Sequence, residues 1–101
     1  MSKRDDLQTL FENILGSKNV YFQPPPGLHM DYPAIRYSRN EIKNKSANNS
    51  VYKQDVSYEV IVIYTDPDSD LSEKISKLPK CRFDRPYVKD NLYHDVFTLY
   101  F

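Results

Sequence analysis

C-R-F-D-R-P-Y-V-K-D-N-L-Y-H-D-V-F-T-L-Y-F, Cys81 to Phe101, is the stretch whose reading decides the fold. Two aromatic-rich runs, Arg82 to Val88 and Leu92 to Phe101, flank Lys89-Asp90-Asn91, a short polar break suited to a tight turn between antiparallel strands. The second run stops at Phe101 with no polar residues after it, so this end is expected to be tied into a sheet or against a neighbouring subunit. Everything upstream reads as material that covers and extends a hairpin.

Immediately before the hairpin, Asp66-Pro67-Asp68-Ser69 reads as a helix start. Asp66 suits the N-cap, Pro67 the first helical position, and Asp68 and Asp70 the positive end of the helix dipole. Leu71, Ile75 and Leu78 make a narrow apolar stripe and Pro79 ends it, which predicts a helix over 66–78 of about three turns. Further upstream, Val56, Tyr58, Val60, Val62 and Tyr64 alternate along Val51 to Thr65, the longest strand candidate. Apolar residues occur on both faces from Val60 to Tyr64, which predicts a central strand covered on both sides.

Lys43 to Ser50, K-N-K-S-A-N-N-S, is the most polar stretch and reads as a flexible loop. Ala34 to Ile42 reads as a strand of roughly six to eight residues, the usual length. Asn19 to Gln23 is a short extended run, stopped by Pro24-Pro25-Pro26-Gly27, a rigid connector. At the start, Leu7, Leu10, Phe11, Ile14 and Leu15 recur at helical spacing over residues 1–16. Ser2 and Asp5 have capping-box spacing there, and Gly16 is a C-terminal stop.

Composition narrows the function classes. A chain of 101 residues with 40% hydrophobic content supports one modest core and one domain. Nine tyrosines suit half-covered sheets and subunit contacts alike, since each offers a ring to bury and a hydroxyl to keep wet. Fourteen basic and fourteen acidic residues cancel, which removes the broad positive field of a protein that grips phosphate backbones and leaves association unopposed. A single cysteine excludes an internal disulfide framework, and Cys81 reads as a small buried hydrophobe. No apolar stretch approaches the ~18 residues of a membrane helix, and the opening residues lack a signal-peptide pattern, so a cytoplasm-like compartment is expected.

Candidate chemistry is sparse. Asp66, Asp68 and Asp70 have the spacing that opens a calcium loop, but Leu71 and Lys77 stand where such a loop needs Gly and a bidentate Glu. His29, His94 and Cys81 are too scattered for a closed zinc site or a Cys–His pair, and His94 reads as holding a hydrogen bond within the hairpin. Neither catalytic residues, nor a metal, nor a cofactor is expected. Arg82, Asp84, Arg85 and Asp90 form the densest charge group, interleaved with Phe83 and Tyr87. Such a cluster suits stacking on single-stranded nucleic acid, but two acids among the bases make ion pairs within or between subunits the better account.

At F-D-R-P-Y-V-K-D-N-L-Y-H, Phe83 to His94, the sequence resembles a family of small proteins from tailed-phage morphogenesis clusters. The likeness extends through Y-F-Q-P-P-P-G-L (Tyr21 to Leu28), Y-P-A-I-R-Y-S (Tyr32 to Ser38), Y-E-V-I-V-I-Y, and D-P-D-S with the helix that follows. These proteins resemble the tail terminators, also called tail-completion or tail-to-head joining proteins, of long-tailed bacteriophages. The resemblance implies an α+β subunit over residues 1–101, with two helices packed on a mainly antiparallel sheet of about four strands and a C-terminal hairpin. It further implies a virion protein assembled in the bacterial cytoplasm as a hexameric ring. Such a ring caps the tail-tube protein, offers a surface to the head-tail connector or stopper protein, and touches DNA at most passively. A connector-side neck subunit shares this size and topology and stands as the alternative. A ring of identical contacts needs two complementary patches per subunit, and Asp84, Arg85, Tyr87 and Asp90 are the residues expected in a subunit or partner contact.

Overall fold

The computed structural model describes residues 3–40 and 56–101. The chain runs α1 (Lys3–Leu15), β1 (Val20–Phe22), β2 (Ala34–Arg39), β3 (Ser57–Tyr64), α2 (Leu71–Ser76), β4 (Cys81–Lys89) and β5 (Leu92–Tyr100). One five-stranded sheet of order β1-β2-β3-β5-β4 results, with β3 at its centre. The class is α+β, as expected. The sheet is mixed, however: β1 pairs with β2 in parallel, while the other three pairings are antiparallel. The run at 19–23 is thus a fifth strand. The proline connector after it carries the chain back to the start of β2, and such a return connection is what parallel neighbours need.

Both helices lie on one face. Gln8 of α1 accepts a 2.6 Å hydrogen bond from the Tyr37 hydroxyl and donates to the Val20 carbonyl at 3.1 Å, which fixes α1 over β1 and β2. Ser72 of α2 donates to Asp95 of β5. Tyr37 and Asp95 project to the same side, because Tyr37 pairs with Val60 and Asp95 with Val62. Leu7, Phe11, Tyr37, Val60, Val62, Ile75, Phe97 and Leu99 form the core between the layers, all at 1% exposure or less. The Tyr37 ring sits at its middle, with Phe22, Phe11 and Tyr58 rings 5.0, 5.2 and 5.9 Å away. Burial pushes the Tyr37 hydroxyl above its ordinary titration range.

Gly16 ends α1 as expected: at φ +81° it adopts the left-handed conformation, and its N–H reaches the Glu12 carbonyl at 2.8 Å. The Ser2 half of the capping box, the end of the 34–42 strand, the 43–50 loop and the first residues of the 51–65 strand lie outside the described residues.

The second helix differs from expectation. It starts at Leu71 with Asp70 as its N-cap residue and spans only six residues. Asp66 instead closes a turn: its carboxylate accepts the Asp68 N–H at 2.9 Å and its carbonyl accepts the Ser69 N–H at 3.0 Å. Asp followed by Pro is as good a turn signal as a helix start, and here the turn prevails. Asp70 faces Lys74 at 3.7 Å one turn on.

The central position of β3 is as read, but its two faces are covered differently. Tyr58, Val60 and Val62 face the helices. On the other face Ile63 is buried beside Ala34 and Val96, with neither helix on that side. Phe101 is tied in: its N–H and carbonyl both pair with Val56 at 3.0 Å, extending the ladder past the end of β5.

Candidate functional site

The hairpin joins two strands of nine residues each, and they have opposite environments. β5 is paired on both sides, to β3 and to β4, and its Asp95, Val96, Phe97 and Leu99 are buried. β4 is the sheet edge. From Arg82 to Lys89 every residue is exposed, including Phe83 at 50% and Val88 at 65%. Only Cys81, at the end under α2, is half-buried, and burial raises its thiol pKa, as fits a small packed hydrophobe.

Cross-strand register gives β4 two distinct sides. Phe83 pairs with Phe97, Pro86 with Asp95 and Val88 with Tyr93, so these apolar side chains share the helix side of the sheet. They extend beyond what the short α2 covers. Phe83 makes an edge-to-face contact with Phe97 at 5.4 Å, and Tyr93 stacks on Tyr64 at 5.4 Å. The opposite side carries Arg82, Arg85, Tyr87 and Lys89. A register shift between Phe83 and Arg85 inserts Asp84 as a bulge, and Pro86 removes one ladder donor. A bulge, a proline and alternating charge are the devices by which natural edges resist indiscriminate strand pairing.

The four residues singled out for contact therefore divide. Asp84, Arg85 and Tyr87 lie along the edge, and Asp90 sits in the turn. Asp84 is held by Thr98, whose hydroxyl donates at 2.6 Å, and by the Arg82 guanidinium at 3.0 Å. The Thr98 hydrogen bond above all keeps its carboxyl below the usual carboxylate range; burial opposes it, and the Arg82 guanidinium adds to the lowering. Tyr87 stacks on His94 with centroids 4.5 Å apart and planes 12° from parallel. The His94 Nδ1–H donates to the Leu92 carbonyl at 3.0 Å, the intra-hairpin bond expected of it.

Asp90 and Asn91 have φ of +54° and +64°. Positive φ at both central residues is the signature of a two-residue type I′ connection, whose twist matches that of the strands. The tip is consequently short and pre-ordered, with Val88, Lys89, Asp90 and Asn91 all exposed.

The dismissed constellations stay apart. Cys81 and His94 are at different ends of the hairpin and on opposite sides of the sheet, while His29 pairs with Asp31 at 3.2 Å in the loop after β1. Among the described residues no group of three or more His, Cys, Asp or Glu is placed to hold a metal ion, and no helix is long and apolar enough to cross a membrane.

Two features were not singled out in the sequence. The first is Asp95, 9% exposed, whose Oδ2 accepts hydrogen bonds from the Tyr64 hydroxyl at 2.7 Å and from Ser72. Burial, and next the neighbouring carboxylate, push Tyr64 up to about 12. A lone carboxylate immediately before the run V-F-T-L, in step with Phe97 and Leu99 on one face of the strand, was the available signal, because a buried charge needs partners. The second is an open groove of ≈ 360 Å³ at the far end of the hairpin, between α1 and the α2–β4 connection. Leu10, Leu78, Pro79 and Leu99 line it, with Asp6 and Lys80 among its exposed residues. Its lining comes from three separated parts of the chain, so no local pattern announces it. Compared with known proteins, the chain matches no family model, no curated protein and no solved structure.

Proposed function

We propose that this chain is a structural subunit that works by associating with copies of itself, as a tail terminator of a long-tailed bacteriophage. Its ring caps the tail tube and presents the head-tail joining surface, and no reaction is assigned to it. The observation that carries the reading is the exposed edge strand, whose residues 83–89 fall within the motif that resembles the family. An apolar side and a charged side on one rigid strand suit a specific contact with a protein surface better than a small-molecule site. A connector-side neck subunit is the alternative, and it uses the same edge toward a different partner.

The test is light scattering coupled to gel filtration, alone and after mixing with purified tail tubes. Association above the 11.9 kDa monomer, with tubes that stop elongating, is the expected result. A protein that stays monomeric and leaves tube growth untouched refutes the terminator reading. Association without an effect on tubes favours the neck alternative.

One observation supports a second reading, a single-stranded nucleic-acid module. The helix-free side of the sheet carries the Tyr87–His94 stack in the row next to Arg36 and Arg85, which flank Ile61 and Val96. Fluorescence anisotropy with labelled oligonucleotides decides it: salt-sensitive binding supports this reading and its absence at low salt removes it.

A further inference from the structure

The two ends of the hairpin carry complementary features. At one end the pre-ordered Asp90-Asn91 turn presents Val88 and Lys89; at the other, beside Cys81 and Phe101, lies the groove lined by Leu10, Leu78, Pro79 and Leu99. Nine-residue strands place these ends roughly 26 Å apart at about 3.3 Å per residue, so one molecule cannot bring its own tip to its own groove. We propose that the tip of one copy enters the groove of the next. This inference rests on the reading of the chain as a self-associating subunit and names the surfaces that such a subunit uses.

Three observations converge on a second copy as the occupant. Val88 is the most exposed large apolar residue among those described, and the groove offers an apolar lining in which to bury it. Each site carries one charge of either sign, Lys89 and Asp90 at the tip and Asp6 and Lys80 at the groove, so that docking can set Lys89 against Asp6. Among the described residues neither Lys89 nor Asp6 has an ion-pair partner within its own chain. Finally, a two-residue turn loses little freedom on docking. The groove lies at the low end of the roughly 300–1,000 Å³ typical of ligand pockets, a size suited to a few side chains rather than a long peptide.

A projection on one patch and a recess on another make a head-to-tail contact, not a two-fold one. Each copy then has one free tip and one free groove until the chain of copies closes, which is how a ring acquires a defined number of subunits.

Charge reversal with rescue tests the contact. Lys89→Glu and Asp6→Lys are both surface changes; Lys89→Glu should melt like wild type, and Asp6→Lys, which removes an acid from the first turn of α1, should remain folded with a melt lowered by a few degrees at most. Each alone is expected to weaken self-association, read by sedimentation velocity over a dilution series alone and on tail tubes, by roughly 10-fold or more. The double variant, and an equal mixture of the two single variants, should return to within about 3-fold of wild type, because opposite charges again meet across every interface. Val88→Asp should weaken association with no rescue from either partner variant. Single variants that associate like wild type, or a double variant no better than the singles, overturn this contact while leaving ring formation intact. A wild-type protein that is monomeric in both settings overturns the contact and the self-association beneath it together.

Discussion

β4 and β5 are two strands of equal length, joined by two residues, and they serve opposite ends. Val96, Phe97 and Leu99 of β5 are essentially inaccessible, whereas Phe83 and Val88 of β4 are half or more exposed. Part of the difference is residue type, with Arg82, Asp84, Arg85 and Lys89 on β4 against Asp95 alone on β5; for the aromatic and aliphatic residues that both strands carry, position in the sheet decides. A strand with neighbours on both sides and a helix above becomes core; one with a single neighbour, beyond the reach of a six-residue helix, becomes surface. An aromatic residue in the first stabilises the fold. In the second it is available for a contact with another molecule.

Truncation sharpens the contrast most. Phe97→Ala is expected to cost about 3–5 kcal/mol in urea unfolding, since it opens a cavity under both helices. Phe83→Ala, its cross-strand partner, should cost ~1 kcal/mol or less, the worth of one edge-to-face contact on an exposed strand. Equal costs would mean that β4 is covered as well as β5.

Next in size is the buried carboxylate of β5. Asp95→Ala strands the Tyr64 and Ser72 hydroxyls and should lose about 1–3 kcal/mol by the same measurement. Because Tyr64 titrates higher folded than unfolded, its contribution is complete below about pH 10 and is lost as pH rises towards about 12. Stability followed through that window should fall less steeply in Tyr64→Phe than in wild type; identical slopes would contradict the assignment.

Smaller still is the effect at the turn. Asn91→Gly should leave stability unchanged or raise it slightly, while Asn91→Val, at φ +64°, should cost about 1–2 kcal/mol in urea unfolding. The smallest effect belongs to the edge itself. Asp84, with a depressed pKa, contributes above the ordinary carboxylate range and loses that contribution as pH falls through its folded value. Asp84→Asn should therefore reduce the acid dependence of stability only slightly, the modest return of an exposed ion pair.

The hairpin, its turn at 89–91, the first helix and its stop at Gly16 were all legible, because each follows from local periodicity and turn chemistry. The start of the second helix was not: Asp66-Pro67 satisfies both a cap and a turn, and only packing of Leu71 and Ile75 on the sheet selects between them. The parallel pairing of β1 was equally hidden, since register with Ile35 and Arg36 is a long-range choice. For the candidate site, the residues were visible as a charge cluster with aromatic interleaving. Their arrangement was not, because edge position, the Asp84 bulge and the sidedness of Phe83 and Val88 against Arg85 and Tyr87 exist only once β4 pairs with β5.

Hydrogen exchange measured over a range of protein concentrations tests most directly the claim that one strand of the hairpin is core and the other is a subunit surface. Residues 95–99 should be protected at every concentration, whereas the segment 86–91 should exchange quickly in dilute protein and become protected as copies associate. Exchange of 86–91 that is the same at all concentrations, in protein that does associate, would contradict the account.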